Sequence, residues 1–351
     1  MQDRLGRWAA DTLGPDAHVD GLERMPGHSG ITWAFDVHVG GGTGGTGGSG
    51  GSGGTGGSGG TGGSGGTGGT GGTGGTERLV LRMPPLGARR SAATDVHRQA
   101  PLLTALAEHG VPAPRLRWSG EHGPWFGTPY LIVDRVAGAP PGDVFAEGGA
   151  PAPAHAVFAE AMRVLARIHA TPPPTAWRAA TPLAAVVDHW RKLLDETPEP
   201  SWIPAGRTLH ARLRAAVPEV GPPGLVHADF YANNWMVDGG DLVAVLDWEG
   251  AHRGDARVDV GWIAMIYDRE SWHPAQRPDI AAAPEPEDLV AAYGAPLRGV
   301  AWFRALAGMR LAALTAHYLR MHRTGQRPDA TWEAFGESVP YILGRAVAVL
   351  G

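Results

Sequence analysis

The stretch of sequence that decides the fold is L-V-H-A-D-F-Y-A-N-N, residues Leu225–Asn234. It places His227, Asp229 and Asn234 in the spacing H-x-D-x-x-x-x-N. Asp and Asn are also common turn-forming residues, so on their own these side chains fit an ordinary surface turn. A second motif downstream favours a functional site over a surface turn.

That second motif is V-L-D-W-E, residues Val245–Glu249. Its Asp247 lies thirteen residues after Asn234 and ends an apolar strand. The segment between the two motifs, 235–246, has a strand-turn-strand pattern. Two motifs in this order and at this spacing favour a functional site over isolated turn residues.

The residue types in the two motifs suit phosphoryl transfer. This reaction needs a carboxylate that accepts the proton of the substrate hydroxyl, and oxygen ligands that hold Mg²⁺ on the nucleotide phosphates. Mg²⁺ takes hard oxygen ligands and usually only one or two from the protein. We therefore expect Asp229 to act as the catalytic base and Asn234 and Asp247 to bind Mg²⁺.

The flanking sequence predicts a small strand-rich part followed by a larger helical part, an α+β pattern. We place the division at Asp134, which gives an N-terminal lobe at 1–133 and a C-terminal lobe at 134–351. The predicted strands are 31–39, 79–83 and 130–133, and the predicted helices include 92–109, about 155–170 and 182–195.

A glycine-rich tract interrupts the first of these parts. Residues 40–76 contain 25 Gly and 12 Ser or Thr, whereas the remaining 314 residues contain 29 Gly. The tract lies where a hairpin turn would join the predicted strands 31–39 and 79–83. A long Gly/Ser-type coil adds only about 2 kcal/mol of closure entropy to a hairpin, so we expect a disordered insertion that leaves the hairpin intact.

With these motifs, the chain resembles the aminoglycoside phosphotransferase-like family of small-molecule kinases. The resemblance implies a protein-kinase-like bilobal fold, with a β-rich N-lobe carrying one helix and a mainly helical C-lobe. It also implies ATP or GTP with Mg²⁺ as cofactors and a small hydroxylated substrate. The segment Trp302–Leu311 and the pair Gly261-Trp262 look most like the subgroup related to the kinase-like domains of acyl-CoA dehydrogenase fusion proteins.

The resemblance also assigns the nucleotide site. The segment P-G-H-S-G-I-T-W from Pro26 looks like the family's phosphate-covering loop, with glycine at position 30 where asparagine is usual. The segment after the third predicted strand would offer backbone groups to the adenine. The implied nucleotide-binding residues are Gly27, His28, Ser29, Gly30, Arg82, Asp134, Arg135 and Val136.

The phosphate-binding lysine of kinase-like folds is replaced here. The aligned strand position is Arg82, and the single lysine of the chain, Lys192, lies far away in the helical part. Arginine is always charged and forks toward phosphate oxygens, so Arg82 is expected to clamp phosphate. Its helix partner by resemblance is the neutral Gln99, and Asp95, one turn earlier, is the alternative that would supply a negative charge.

Two further residues are expected to support the site. His227 belongs to the first motif. Asp259, which follows G-D-A-R from Gly254, resembles the acidic residue thought to brace the family's catalytic loop, and it also fits the N-cap of the next helix. His169, at the end of a predicted helix, matches the family pattern as a structural residue.

Composition excludes several classes of protein. The net charge of -5 gives no electrostatic reason to expect nucleic-acid binding. The absence of cysteine excludes a disulfide framework and a thiol nucleophile. Arg304 and Arg310 interrupt the most apolar stretch, 300–319, which argues against a membrane span. With no apolar leader at 1–20, we expect a cytoplasmic protein, and its oligomeric state stays open.

Two functions remain open, an ATP-dependent O-phosphotransferase and a degenerate, nucleotide-binding pseudokinase suggested by Arg82 and Gln99. A metal-dependent hydrolase has little support, because the 15 histidines form no H-E-x-x-H pattern. The segment 285–351 carries six acidic residues and seven arginines. This balance favours a neutral or anionic substrate over a polycationic one, unless these charges are simply solvated helix faces.

Overall fold

The computed structural model describes residues 1–25, 30–39, 75–85, 95–121, 124–142 and 151–351, with the side chains of 151, 152, 278 and 279 set aside. The described elements have the mixed α+β composition expected from the sequence. In the first part they are α1 Gln2–Leu13, β1 His18–Met25, β2 Ile31–His38, β3 Thr76–Met83, α2 Ala100–Glu108, β4 Leu116–Gly120 and β5 Tyr130–Asp134. They continue with α3 Pro151–Ala170, α4 Leu183–Asp195, α5 Ile203–Ala215, β6 Gly224–Val226, β7 Trp235–Asp238, β8 Asp241–Val245, β9 His252–Gly254, α6 Arg257–Ile266, α7 Pro286–Ala292, α8 Val300–Arg323 and α9 Thr331–Ala348.

A five-stranded antiparallel sheet in the order β1-β2-β3-β5-β4 dominates the first part. The predicted hairpin is confirmed, since β2 pairs with β3 from Ile31↔Met83 to His38↔Thr76. β3 begins three residues before the predicted start at 79, inside the segment assigned to the glycine-rich tract. Residues 40–74 of that tract lie outside the described residues. The predicted division at 133/134 falls at the last residue of β5 and stays a prediction.

Helix α1 and strand β1 were not predicted. Leu5, Trp8 and Ala9 of α1 are fully buried, and their spacing puts them on one helix face. The Trp8 ring meets Phe35 of β2 edge to face at 5.9 Å. The helix therefore covers the face of the sheet that is opposite to Arg82, and this burial, rather than the largely polar composition of the segment, determines its structure.

The helices of the second part form around α8, whose 24 residues include 13 that are buried. The predicted helices at 155–170 and 182–195 are confirmed as α3 and α4, and Lys192 is exposed on α4. Helix α6 crosses α8 so closely that a Cβ on Gly261 would lie 2.4 Å from the backbone carbon of Phe303. None of the described helices is long and apolar enough to cross a membrane.

Hydrogen bonds join the first part of the chain to β7, to β8 and to the loop that follows β8. Ala139, just after β5, exchanges two hydrogen bonds with Val237 of β7, at 3.0 and 2.8 Å. The N–H of Val245 donates to the carbonyl of Pro112 at 2.8 Å. Arg98 donates to the carbonyl oxygens of Glu249 and Ala251 at 3.0 and 2.5 Å. The contacts of Pro112 and Arg98 hold the V-L-D-W-E motif against the first part of the chain.

Candidate active site

His227 connects the two sequence motifs. Its side chain is fully buried after β6, and its Nε2 lies 2.9 Å from the carbonyl oxygen of Leu246. The N–H of Asp229 donates to its Nδ1 at 3.2 Å. Burial lowers the pKa of His227 below its usual value. The imidazole is therefore neutral, with Nε2–H donating to Leu246 and Nδ1 accepting from Asp229.

Asp259 holds the backbone that carries this histidine. Its carboxylate accepts hydrogen bonds from the N–H groups of His227 and Ala228, both at 2.7 Å, and lies 3.0 Å from Nε2 of His169. Burial acts to raise the pKa of Asp259, but the hydrogen bond and charge of His169 and the contacts with His227 outweigh it and lower the pKa. The alternative role as N-cap is wrong, because the N-cap of α6 is Ala256.

Asp229 and Asn234 are in direct contact. The Nδ2 group of Asn234 donates to the backbone oxygen of Asp229 at 2.8 Å and to its Oδ2 at 3.0 Å. Burial raises the pKa of Asp229 above its usual value, and nearby Arg310 and His227 oppose that rise. The side chain keeps 34% of its surface exposed. It is thus fixed in direction, accessible to a substrate and more basic than an ordinary aspartate.

Arg310 of α8 is the second neighbour of Asp229. Its Nη2 lies 3.9 Å from Asp229 Oδ1, and its Nη1 donates to the carbonyl oxygen of Ala228. The guanidinium lies over the ring of Trp262 at 4.0 Å and faces Trp190 of α4 at 5.7 Å. The side chain is only 17% exposed, and burial lowers its pKa. A positive charge is therefore held beside the predicted base.

Asp247 lies on the other side of Asn234. The N–H of Leu246 donates to the carbonyl oxygen of Asn234 at 2.7 Å, so the two predicted metal ligands are joined through the backbone. Asp247 has a left-handed backbone with φ 62°, and Ala228 has φ 73°. Such angles are strained for residues with a Cβ. The backbone is strained on both sides of the predicted centre.

Arg82 reaches this centre from β3. Its Nη2 lies 3.9 Å from Asp247 Oδ1 and 4.0 Å from Glu249 Oε2. Among the described residues, Arg82 forms no ion pair or hydrogen bond with Gln99 or Asp95. Gln99 is buried, and its Nε2 has no hydrogen-bond partner there. In this structure Arg82 therefore faces the acidic residues of the second motif.

The expected nucleotide-binding segments are described in part. Gly27, His28 and Ser29 lie outside the described residues. A Cβ on Gly30 would lie 2.7 Å from the carbonyl oxygen of Met83, so glycine is needed for the close approach to β3. After β5, the N–H groups of Asp134 and Arg135 already donate to the carbonyls of Arg115 and Arg78, at 3.0 and 2.8 Å. Val136 follows directly.

The oxygen donors at this centre fit a hard cation such as Mg²⁺. Asn234 commits its Nδ2 to Asp229, which leaves its Oδ1 for a ligand. Asp247 Oδ1 is buried and has no hydrogen-bond partner among the described residues. An amide oxygen next to a carboxylate is a donor set that suits Mg²⁺.

The sequence profile of the phosphotransferase enzyme family matches residues 69–306, which is more than half of the chain. The chain belongs to this phosphotransferase family. Its resemblance to curated proteins agrees with the expected subgroup. It is 28% identical over 278 residues to acyl-CoA dehydrogenase family member 10 of Mus musculus, a match that covers 74% of this chain and 26% of that protein.

A second curated relative of this chain is hygromycin-B 4-O-kinase of Escherichia coli. It is 31% identical over 121 residues, covering 31% of this chain and 34% of the relative. The matches thus span about a quarter and about a third of the lengths of these two relatives.

Solved structures share the fold along the whole chain. A candidate aminoglycoside phosphotransferase from Ralstonia eutropha superposes with a TM-score of 0.69 at 19% identity, covering 100% of this chain and 98% of the other. The aminoglycoside phosphotransferase APH(4)-Ia, in a ternary complex with ADP and hygromycin B, superposes with a TM-score of 0.57 at 16% identity, covering 99% and 97%. At these identities the likeness establishes the fold, and the protein-kinase-like architecture predicted from the motifs is confirmed.

The structure brings four of the predicted site residues to one place: Asp229, Asn234, Asp247 and Arg82. Arg310 was not among the predicted site residues, although its interruption of the apolar stretch 300–319 was a usable signal. A buried charge needs polar partners, and Arg310 has the carbonyl oxygen of Ala228 and the carboxylate of Asp229.

Proposed function

We propose that this phosphotransferase transfers the terminal phosphoryl group of ATP or GTP to a hydroxyl group of a small molecule. The observation that carries the proposal is the pair Asp229–Asn234. Its carboxylate is oriented by a donated hydrogen bond, its pKa is raised by burial, and it is partly exposed. A solved relative of the same fold binds ADP together with hygromycin B, which supports a site for nucleotide and acceptor together.

Asp229 would accept the proton of the acceptor hydroxyl as that oxygen bonds to phosphorus. A base with a raised pKa takes this proton more readily than an ordinary carboxylate does. The backbone N–H groups of His227 and Ala228, fixed by Asp259, keep the loop in place while this happens. Positioning of this kind supplies much of the catalysis in phosphoryl transfer.

Asn234 and Asp247 would hold Mg²⁺ through Oδ1 of the amide and through the carboxylate. When bound, this ion neutralises charge that develops on the phosphate oxygens. Arg82 lies 3.9 Å from Asp247. Phosphates held by Mg²⁺ at that carboxylate would therefore lie within reach of the guanidinium. Its planar fork suits two phosphate oxygens. Val136, Arg135 and Asp134 would border the base of the nucleotide, with Val136 expected to offer its N–H.

The acceptor is expected to be neutral or anionic where it meets the base. Arg310 places a buried positive charge 3.9 Å from Asp229, with Trp190 and Trp262 as apolar walls around that charge. A cationic group next to the reacting hydroxyl would be repelled there. This agrees with the charge balance of the segment 285–351.

The alternative function, a degenerate kinase that binds nucleotide, rests on one observation. Gln99, where the resemblance places a glutamate, is buried and neutral, and Arg82 contacts Asp247 and Glu249 instead. A protein of this kind would bind nucleotide without turnover.

The test is a phosphate-transfer screen over hydroxyl compounds with MgATP and MgGTP, combined with thermal-shift titration of each nucleotide. We expect Asp229→Asn to lower turnover by at least about 100-fold, the usual contribution of general-base catalysis, while the nucleotide still raises the melting temperature. The control Asp188→Asn alters an exposed carboxylate on α4. Undiminished activity of Asp229→Asn would contradict the assignment of the base. Nucleotide binding by the wild type without transfer to any acceptor would favour the pseudokinase.

A further inference from the structure

We propose that the small sheet binds one divalent transition-metal ion, Zn²⁺, through His18, Asp20 and His38. Their nitrogen and oxygen ligand atoms all lie within 4.8 Å of one another. His18 and His38 are direct cross-strand partners on β1 and β2. Asp20 lies two residues after His18, and alternate residues of a strand share one face. All three side chains therefore project from the same side of the sheet.

That side is the face opposite α1, and it also carries Arg82, because Asp36 pairs with Arg78 and Thr32 pairs with Arg82. Val19 and Val37, which alternate with the three residues, are buried against the core under α1. His38 pairs with Thr76 at the end of β2 where the hairpin enters the tract, whereas Arg82 pairs with Thr32 near the other end. Six residues of strand separate these two positions, or about 20 Å. The zinc site thus lies on the same sheet face as Arg82 but about 20 Å further along the strands, and none of its ligands belongs to the proposed catalytic centre, so it does not depend on the proposed function.

The spacing of the ligand atoms is close to that of a tetrahedral zinc site. Zn–N and Zn–O bonds of about 2.0–2.2 Å place neighbouring ligand atoms about 3.4 Å apart. Nε2 of His38 lies 3.0 Å from Oδ1 of Asp20. The imidazole rings of His18 and His38 are stacked, with centroids 4.6 Å apart and an interplanar angle of 16°. Small side-chain rotations on two paired strands complete the geometry, and water takes the fourth position.

The surroundings of His38 prepare one nitrogen for a metal. Nδ1 lies 2.8 Å from the hydroxyl oxygen of Thr76. With Nδ1–H donating to that oxygen, Nε2 carries a lone pair. This Nε2 is buried and has no hydrogen-bond partner of good geometry among the described residues, although Oδ1 of Asp20 lies close to it. A lone pair and a carboxylate that face the same point are satisfied by a shared cation, and an outer hydrogen bond to the ligating histidine is typical of metal sites.

A further acidic residue increases the attraction for a cation. Asp36 is the cross-strand partner of Asp20 and lies on the same face. Its Oδ1 is buried without a hydrogen-bond partner in the described parts of the chain, and the Nε of Arg78 is 4.0 Å away. Two imidazole nitrogens favour Zn²⁺ over Mg²⁺, which prefers oxygen ligands. Mg²⁺ at the catalytic centre should therefore not compete for this site.

The test is isothermal titration of the full chain, free of any histidine tag, with Zn²⁺ in the presence of excess Mg²⁺. We expect one Zn²⁺ per chain and a higher melting temperature with the ion bound, because the ion ties β1 to β2. His18→Ala and His38→Ala should each weaken binding by at least tenfold. Thr76→Val, which removes only the outer hydrogen bond, should weaken it about tenfold.

The matched control is His210→Gln. His210 also contacts a carboxylate, Asp188 at 2.7 Å, but among the described residues no second histidine joins this pair as a metal ligand. Zinc affinity should be unchanged in this variant. Circular dichroism confirms that each variant is folded. Absence of stoichiometric binding by the wild type, or equal losses in His210→Gln and His38→Ala, would overturn the proposal.

Discussion

Replacement of Asp259 by asparagine should destabilise the protein and impair catalysis together. The carboxylate is fully buried and accepts hydrogen bonds from the N–H groups of His227 and Ala228, and it contacts His169. Asparagine keeps the shape but has only one oxygen, so one N–H group is left facing an NH₂ group. Hydrogen bonds to a charged acceptor contribute about 1.5–3 kcal/mol each. Since a broken buried charge pair costs about 3–5 kcal/mol, we expect a loss of that size in the free energy of unfolding.

The assay is urea denaturation of the wild type, Asp259→Asn and the control Asp188→Asn. The control removes a surface charge and should cost far less than the loss of the Asp259 carboxylate. The lowered pKa of Asp259 means that its stabilisation is present above its ordinary value of 3.8 and is lost as the pH falls through the lower folded pKa. The stability difference between wild type and variant should therefore shrink below about pH 4. A difference under 1 kcal/mol at neutral pH would refute the reasoning.

Three further changes test other parts of the structure. Burial lowers the pKa of His227 from 6.5, so the unfolded chain binds this proton at a higher pH than the folded chain does. The free energy of unfolding should therefore fall as the pH drops below 6.5, by up to about 1.4 kcal/mol per pH unit. His227→Gln should flatten this slope in denaturation curves recorded between pH 5 and 7, and a variant at an exposed histidine should not. Gly261→Ala should cost about 2 kcal/mol in urea denaturation, because its Cβ would lie 2.4 Å from the backbone carbon of Phe303, whereas Gly344→Ala, with nothing within 4 Å, should stabilise by up to about 1 kcal/mol. Arg82→Ala should weaken nucleotide binding in calorimetry at least tenfold, and unchanged affinity would remove Arg82 from the phosphate site.

Short-range patterns made much of the fold predictable. The partial alternation of β-branched and aromatic residues along 31–39, and the stop at Pro84-Pro85, are local features, so the β2–β3 hairpin could be recognised across a tract of unrelated composition. The spacing within Leu225–Asn234 is also local. It marked Asp229 and Asn234, whose side chains are hydrogen-bonded in the structure.

Contacts between distant segments could not be predicted in the same way. Arg310 lies 81 positions after Asp229 in the sequence, and only the packing of α8 against the loop brings their side chains to 3.9 Å. Arg82 was expected to face Gln99 or Asp95 because kinase-like folds pair these positions. Its contacts with Asp247 and Glu249 depend instead on how the second motif is held against the sheet, which no single segment specifies.

The exposed position of Lys192 on α4 gives the protein a chemical handle. It is the only side-chain amine in a chain that has no thiol, and it lies two residues from Trp190, whose ring faces Arg310. An amine-reactive fluorophore at Lys192 would mark one known position on α4. A single cysteine introduced on β1 would then accept a second dye by thiol chemistry, so that acceptor and nucleotide binding could be followed as a change in energy transfer.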